Sequence, residues 1–186
     1  MTLILASASP RRRELLARIT RDFEVVPPRV SESSSGDPAV RVLDSARAKA
    51  CEVAARRRGV IVGADTLVVV GGEVLGKPSS RSHAQRMLEE LSGREHSVFT
   101  GLCVLCAPSG LERTAVEETV VRFRDLQSSE IADYVRSGEP DDKAGAYAIQ
   151  GRAAHFVERI SGDYTNVMGL PLCRLILLLR EVGFRV

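Results

Sequence analysis

The chain has 186 residues, 44% hydrophobic and 27% charged, with a net charge of +2; this is ordinary for a soluble globular protein and enough for one domain with a real core. So small a net charge leaves no electrostatic footprint for nucleic acid or a membrane surface, and no apolar run approaches the ~20 residues that span a bilayer. The first apolar run is only Leu3 to Ala6, with arginines directly after it, which is not the shape of a signal peptide, so a cytoplasmic location is expected.

In chain order, Leu3 to Ala6 reads as a buried strand. Ser9 can cap a helix with Pro10 at its first position and Leu15, Leu16 and Ile19 on its apolar face. Phe23 to Val26 reads as a second strand, and residues 27–37 as a polar loop. Asp37-Pro38 opens a helix to about Arg58, with Val42, Ala46, Ala50 and Val53 facing inward. Val60 to Val70 is a candidate strand pair: Gly63 is expected to end the strand Val60 to Val62, and Gly71-Gly72 to turn the chain into Glu73 to Leu75. Ser82 to Leu91 reads as a helix stopped by Gly93. Residues 96–107 and 112–124 read as two long antiparallel strands, Ser129 to Arg136 as a helix, 154–160 as a short strand and 171–182 as a closing helix. The order is mixed α/β in a single domain over residues 1–186. Cys103 and Cys106 form a lone CxxC, but in a strand that spacing sends the thiols to opposite faces, so buried apolar roles are expected for them.

The chemistry gathers in four places. Ser7-Ala8-Ser9-Pro10-Arg11-Arg12-Arg13 joins a strand to a helix start, where free N–H groups collect and the helix dipole disfavours cations. Three successive arginines there call for an anion; Ser7 and Ser9 add hydroxyls, and guanidinium forks match phosphate oxygens. The bland alternative is a solvated first turn. Asp65 stands between two apolar segments, where it is either a turn residue or a carboxylate whose burial is offset by a metal or a cation. Of 26 basic residues only Lys49, Lys77 and Lys143 are lysines, so each is a candidate for a site that needs a compact ammonium. Lys49 shares a helix face with Val42, Ala46 and Val53 and is either a phosphate contact or a snorkelling surface residue; Lys77 follows the hairpin turn. Residues 137–172 are rich in glycine, and in them Gln150 offers an amide that both donates and accepts, with Gly151 placed for close backbone approach to a ligand.

SASPRR, GADTLVV with a following GKP, SGR with a following TG, GEPDDKAGAYAIQG and ISGDYTNVMGLPL together resemble the Maf family of nucleoside triphosphate pyrophosphatases, in order, from residue 3 to about 172. The AIQG form at 148–151 is similar to the dTTP/UTP pyrophosphatase subfamily rather than the 7-methyl-GTP subfamily. The resemblance implies an elongated mixed sheet with flanking helices, shared with inosine-triphosphate pyrophosphatases. It implies Asp65 as proton acceptor, Arg11, Thr66 and Gln150 as positions linked to substrate choice, and Glu32, Lys49 and Lys77 as further site residues. Ser7, Ser9, Arg11, Arg12, Lys49 and Lys77 would bind phosphate, and Glu32 with Asp65 would hold a divalent cation, Mg²⁺ or Mn²⁺. A homodimer acting on nucleoside triphosphates in a house-cleaning role follows from the same resemblance. A broader or 7-methyl-GTP pyrophosphatase, a nucleotide-binding regulator of septum formation and a plain α/β interaction protein are the alternatives. One departure is Ser45, where the family usually has Leu, which weakens helix packing but leaves Lys49 in place.

Overall fold

The computed structural model describes residues 1–30, 36–107 and 109–186. Seven strands form one mixed sheet: β1 (Leu3–Ala6), β2 (Phe23–Val25), β3 (Val60–Val70), β4 (Glu73–Leu75), β5 (Glu95–Cys106), β6 (Leu111–Phe123) and β7 (Val157–Ser161). Their order is β2-β1-β3-β5-β6-β7, with β4 paired to β3. β1 is parallel to both β2 and β3, while β3–β4 and β6–β7 are antiparallel. The helices are α1 (Pro10–Leu16), α2 (Pro38–Ala54), α3 (Arg81–Leu91), α4 (Ser128–Arg136), α5 (Tyr164–Met168) and α6 (Leu172–Glu181). The expected α/β class and mixed sheet with helices are therefore present.

Tertiary contacts divide the chain into two compact units. The first comprises Met1–Thr66, Thr100–Glu117 and Gly169–Val186, the second Leu67–Phe99 and Glu118–Met168. In the first, α2 lies on the sheet over a core of Ile4, Ala6, Ala46, Ala50, Val53, Ile61 and Cys103. Two glycines permit this docking. A Cβ at Gly63 would stand 2.2 Å from the Ala46 carbonyl oxygen, and one at Gly101 2.3 Å from that of Val42. Gly63 thus does not end a strand, as its sequence context suggests. It is an interior residue of β3, and its missing side chain is the space that α2 occupies.

The local start signals hold. Ser9 caps α1 ahead of Pro10 and Asp37 caps α2 ahead of Pro38. The ends differ from expectation. α1 stops at Leu16, so Ile19 lies in the following turn, half-buried, and α2 stops at Ala54 rather than near Arg58. Charged Arg56, Arg57 and Arg58 have no apolar face to bury, so packing does not extend the helix through them. Ser45 is buried, and among the described residues its hydroxyl has no hydrogen-bond partner, a cost in keeping with weakened packing of α2. Cys103 and Cys106 are both buried, and burial pushes the Cys103 thiol up to about 12, which makes it unreactive.

In the second unit, His96, Phe123, Tyr134, Tyr147 and Phe156 pack edge to face. The segment 137–172 is not an extended loop. It contains short 3₁₀ turns at Glu139–Asp142, Ala144–Ala146 and Arg152–Phe156, then β7 and α5. β7 accordingly begins at Val157, not at residue 154, because Arg152–Phe156 winds Phe156 into the aromatic cluster first.

His96 gives this unit a pH dependence. Its Nε2 lies 2.9 Å from the Tyr147 hydroxyl, and burial pushes the imidazole down to about 4. The folded chain holds it neutral where the unfolded chain protonates it, so stability falls as pH drops from 6.5 towards 4 and is insensitive to this group above 6.5, by about 3 kcal/mol in full. Glu130, held at about 2 first by its hydrogen bond from Arg124, acts only below its ordinary 4.5. Between pH 6.5 and 5, urea midpoints of the wild type should therefore decline, while those of His96→Gln should stay nearly level. Parallel declines in both proteins would remove His96 as the cause.

Candidate functional site

The docking of α2 decides the chemistry of the first unit. Asp65 lies two residues beyond Gly63 on β3, so both project to the same face, the one α2 covers. Lys49 lies three residues beyond Ala46 on α2. The two side chains consequently meet: Lys49 Nζ donates to Asp65 Oδ1 at 2.6 Å, and each residue is only 7% exposed. The cation that offsets the burial of Asp65 is Lys49. Of the two readings open for Lys49, the snorkelling surface residue is excluded by its burial. Asp65 is also no turn residue, since it occupies the interior of the eleven-residue strand β3.

A second polar chain runs beside this pair in sequence. Arg12, on α1, donates from Nε to the Gly169 carbonyl oxygen at 2.7 Å and from Nη2 to Thr66 Oγ1 at 2.9 Å. Its Nη1 lies 3.5 Å from Ser7 Oγ. Thr66 Oγ1 in turn lies 2.9 Å from Thr100 Oγ1, where either hydroxyl can donate. Ser7 is buried and accepts from the Ser9 N–H at 3.1 Å, which shapes the turn into α1. Arg12 therefore joins α1, β3 and the segment that leads into α6. Thr100 and the Gly169 carbonyl complete this network; in the sequence they stand only inside the TG and MGLPL motifs, without a role of their own, and a threonine inside the apolar run of β5 is a further signal, because a buried hydroxyl needs a partner.

Arg11 is half-buried at the start of α1, while Arg13 is exposed. Arg11, Arg12 and Lys49 bring three cationic side chains to this unit, and guanidinium and ammonium groups suit a polyanion. Glu32 lies outside the described residues. Among the described residues, no group of three or more His, Cys, Asp and Glu side chains could hold a metal ion, and no helix is long and apolar enough to cross a membrane.

Lys77 and Gln150 belong to the second unit. Both are exposed, and among the described residues neither side chain makes a hydrogen bond or ion pair. Gly151 does permit a close approach, but the group that approaches is Glu139: a Cβ there would stand 2.4 Å from its Oε1. The third lysine, Lys143, donates to the Glu139 carbonyl oxygen at 3.0 Å and pairs with Asp142, a local role in closing the turn Glu139–Asp142.

Comparison with known proteins agrees with the motifs. A family model described as Maf-like protein matches residues 2–182. A protein of Thermococcus gammatolerans named dTTP/UTP pyrophosphatase is 53% identical over 184 residues, covering 99% of this chain and 98% of its own. Proteins of the same name from Moorella thermoacetica and Carboxydothermus hydrogenoformans are 54% and 50% identical, each covering 99% of this chain and 96% and 100% of their own lengths.

Proposed function

The chain belongs to the Maf-like family, and from that premise we propose that it is a nucleoside triphosphate pyrophosphatase acting on dTTP and UTP. The observation that carries the reading is the buried Asp65–Lys49 pair on β3 and α2, in a chain about half identical to proteins of that name over nearly its whole length. A buried carboxylate held in one orientation by a fixed ammonium is positioned to accept a proton from water.

The reaction adds water across the α–β anhydride. A water oxygen bonds to Pα, the bond from Pα to the bridging oxygen breaks, the water proton passes to Asp65, and pyrophosphate leaves as an anion carrying the bridging oxygen, beside the monophosphate. Lys49 holds Asp65 in place through its hydrogen bond. Arg11 supplies a guanidinium to the phosphates, and Arg12, already fixed by Gly169 and Thr66, adds a positioned charge at no further cost in ordering. Ser7 and Ser9 shape the turn on which these arginines stand.

One carboxylate suits a hard divalent cation such as Mg²⁺ or Mn²⁺, which draws most of its oxygen ligands from substrate phosphates and water. Asp65 would hold it, and Glu32 joins it through the family resemblance. When bound, such an ion neutralises charge that develops on the phosphates. The roles of Lys77 in phosphate binding and of Arg11, Thr66 and Gln150 in substrate choice also enter through that resemblance, as does the homodimer, while the cytoplasmic location rests on the first apolar run lacking the shape of a signal peptide.

The test is pyrophosphate release from dTTP, UTP, CTP and 7-methyl-GTP with Mg²⁺. Uracil and thymine present carbonyl, N–H and carbonyl in one order, which a glutamine amide can read alike; cytosine reverses part of that pattern. Comparable kcat/KM for dTTP and UTP is expected, with CTP roughly 5- to 150-fold lower. Preference for 7-methyl-GTP overturns the substrate assignment, and binding of dTTP without pyrophosphate release favours a regulator.

A further inference from the structure

Gln150 is exposed, and among the described residues its amide is held by nothing. A side chain that reads a base needs a fixed backbone beneath it. The structure supplies one from inside the second unit. Tyr134, on α4 and 2% exposed, donates from its hydroxyl to Glu139 Oε1 at 2.8 Å and accepts from the Ala148 N–H at 3.1 Å. The Glu139 carboxylate also accepts from the Arg152 N–H, at 3.0 Å to Oε1 and 3.2 Å to Oε2. The two backbone N–H groups on either side of Gln150, two residues before it and two after, are thus anchored on one Tyr134–Glu139 unit.

Two further observations show that this segment is over-determined. The Glu139 carboxylate fills the space that any side chain at position 151 would need, so the glycine after Gln150 is required by the anchor. Upstream, Ala146 holds a left-handed φ of +59° although it is not glycine, and it is fully buried. Such conformations persist only where the surroundings impose them. Tyr134 remains a neutral donor, since burial and the bond to Glu139 both push its phenol up.

We infer that Glu139, through Tyr134 and the turn Ala148–Arg152, is a positioning residue that sets pyrimidine discrimination by fixing Gln150. The inference rests on the reading of Gln150 given under the proposed function. Neither Glu139 nor Tyr134 touches substrate in it; both act through the backbone.

The experiment compares kcat/KM for dTTP and CTP in the wild type, Glu139→Ala, Glu139→Gln, Tyr134→Phe and Gln150→Ala. A merely structural lesion lowers both substrates together, whereas loss of positioning lowers their ratio. Glu139→Ala should reduce the dTTP-to-CTP ratio about tenfold, mainly through a higher KM for dTTP. Glu139→Gln, which keeps an acceptor for the Arg152 N–H, should recover part of it. Tyr134→Phe, which removes one hydroxyl only, should move the ratio the same way and keeps the test open should Glu139→Ala fail to fold. A ratio that falls in Gln150→Ala but stays at the wild-type value in the Glu139 and Tyr134 variants overturns the inference alone. An unchanged ratio in Gln150→Ala overturns the base-reading role of Gln150 and, with it, the inference.

Discussion

Asp65→Asn should lower kcat for dTTP by roughly 10²-fold or more. An amide in the position of the carboxylate cannot take the proton of the attacking water. The same change removes the carboxylate to which the buried Lys49 ammonium donates, so it should also destabilise the fold, because breaking one side of a buried ion pair costs about 3–5 kcal/mol. The two effects separate in Lys49→Met/Asp65→Asn, which has no buried charge left at the pair. Stability should return towards the wild type there while turnover stays lost. Pyrophosphate release and urea midpoints on the three proteins measure both quantities. If Asp65→Asn turned over dTTP at a near wild-type rate, Asp65 would not be the proton acceptor.

Lys49→Met should lower stability by about 3 kcal/mol. The substitution leaves the Asp65 carboxylate 7% exposed without the ammonium now 2.6 Å away. For a chain of this length the loss corresponds to a fall in Tm of roughly 6–12 °C. A lysine that merely snorkelled would change stability by less than about 0.5 kcal/mol on truncation. The double variant again supplies the decisive comparison. It should be less destabilised than the sum of Lys49→Met and Asp65→Asn, since residues in direct contact are not additive. Strict additivity would mean that the pair contributes no coupling and that Lys49 is buried for another reason.

Much of the molecule follows from short stretches of sequence. Leu3–Ala6 is apolar throughout and becomes a fully buried strand; Ser9-Pro10 and Asp37-Pro38 start helices because a cap and a proline act within one turn; Gly71-Gly72 returns β3 into β4. The conspicuous residues of the candidate site could also be picked out, since three arginines at a helix start and a carboxylate between apolar runs conflict with their surroundings unless something compensates. What compensates was settled elsewhere in the chain. Gly63 looks like a strand end in one dimension; only α2, pressed against it, makes it the reason that β3 continues. That same docking brings Lys49 onto Asp65, two residues 16 apart on different elements, so a pairing the periodicity of α2 alone left open became a buried ion pair. Gly151 likewise looks like room for a ligand, and the space belongs to Glu139, twelve residues upstream. Caps, turns and apolar periodicity are local energies and can be read from neighbours in sequence. Close approaches and buried charge pairs depend on which surfaces pack, and that is decided by the tertiary structure.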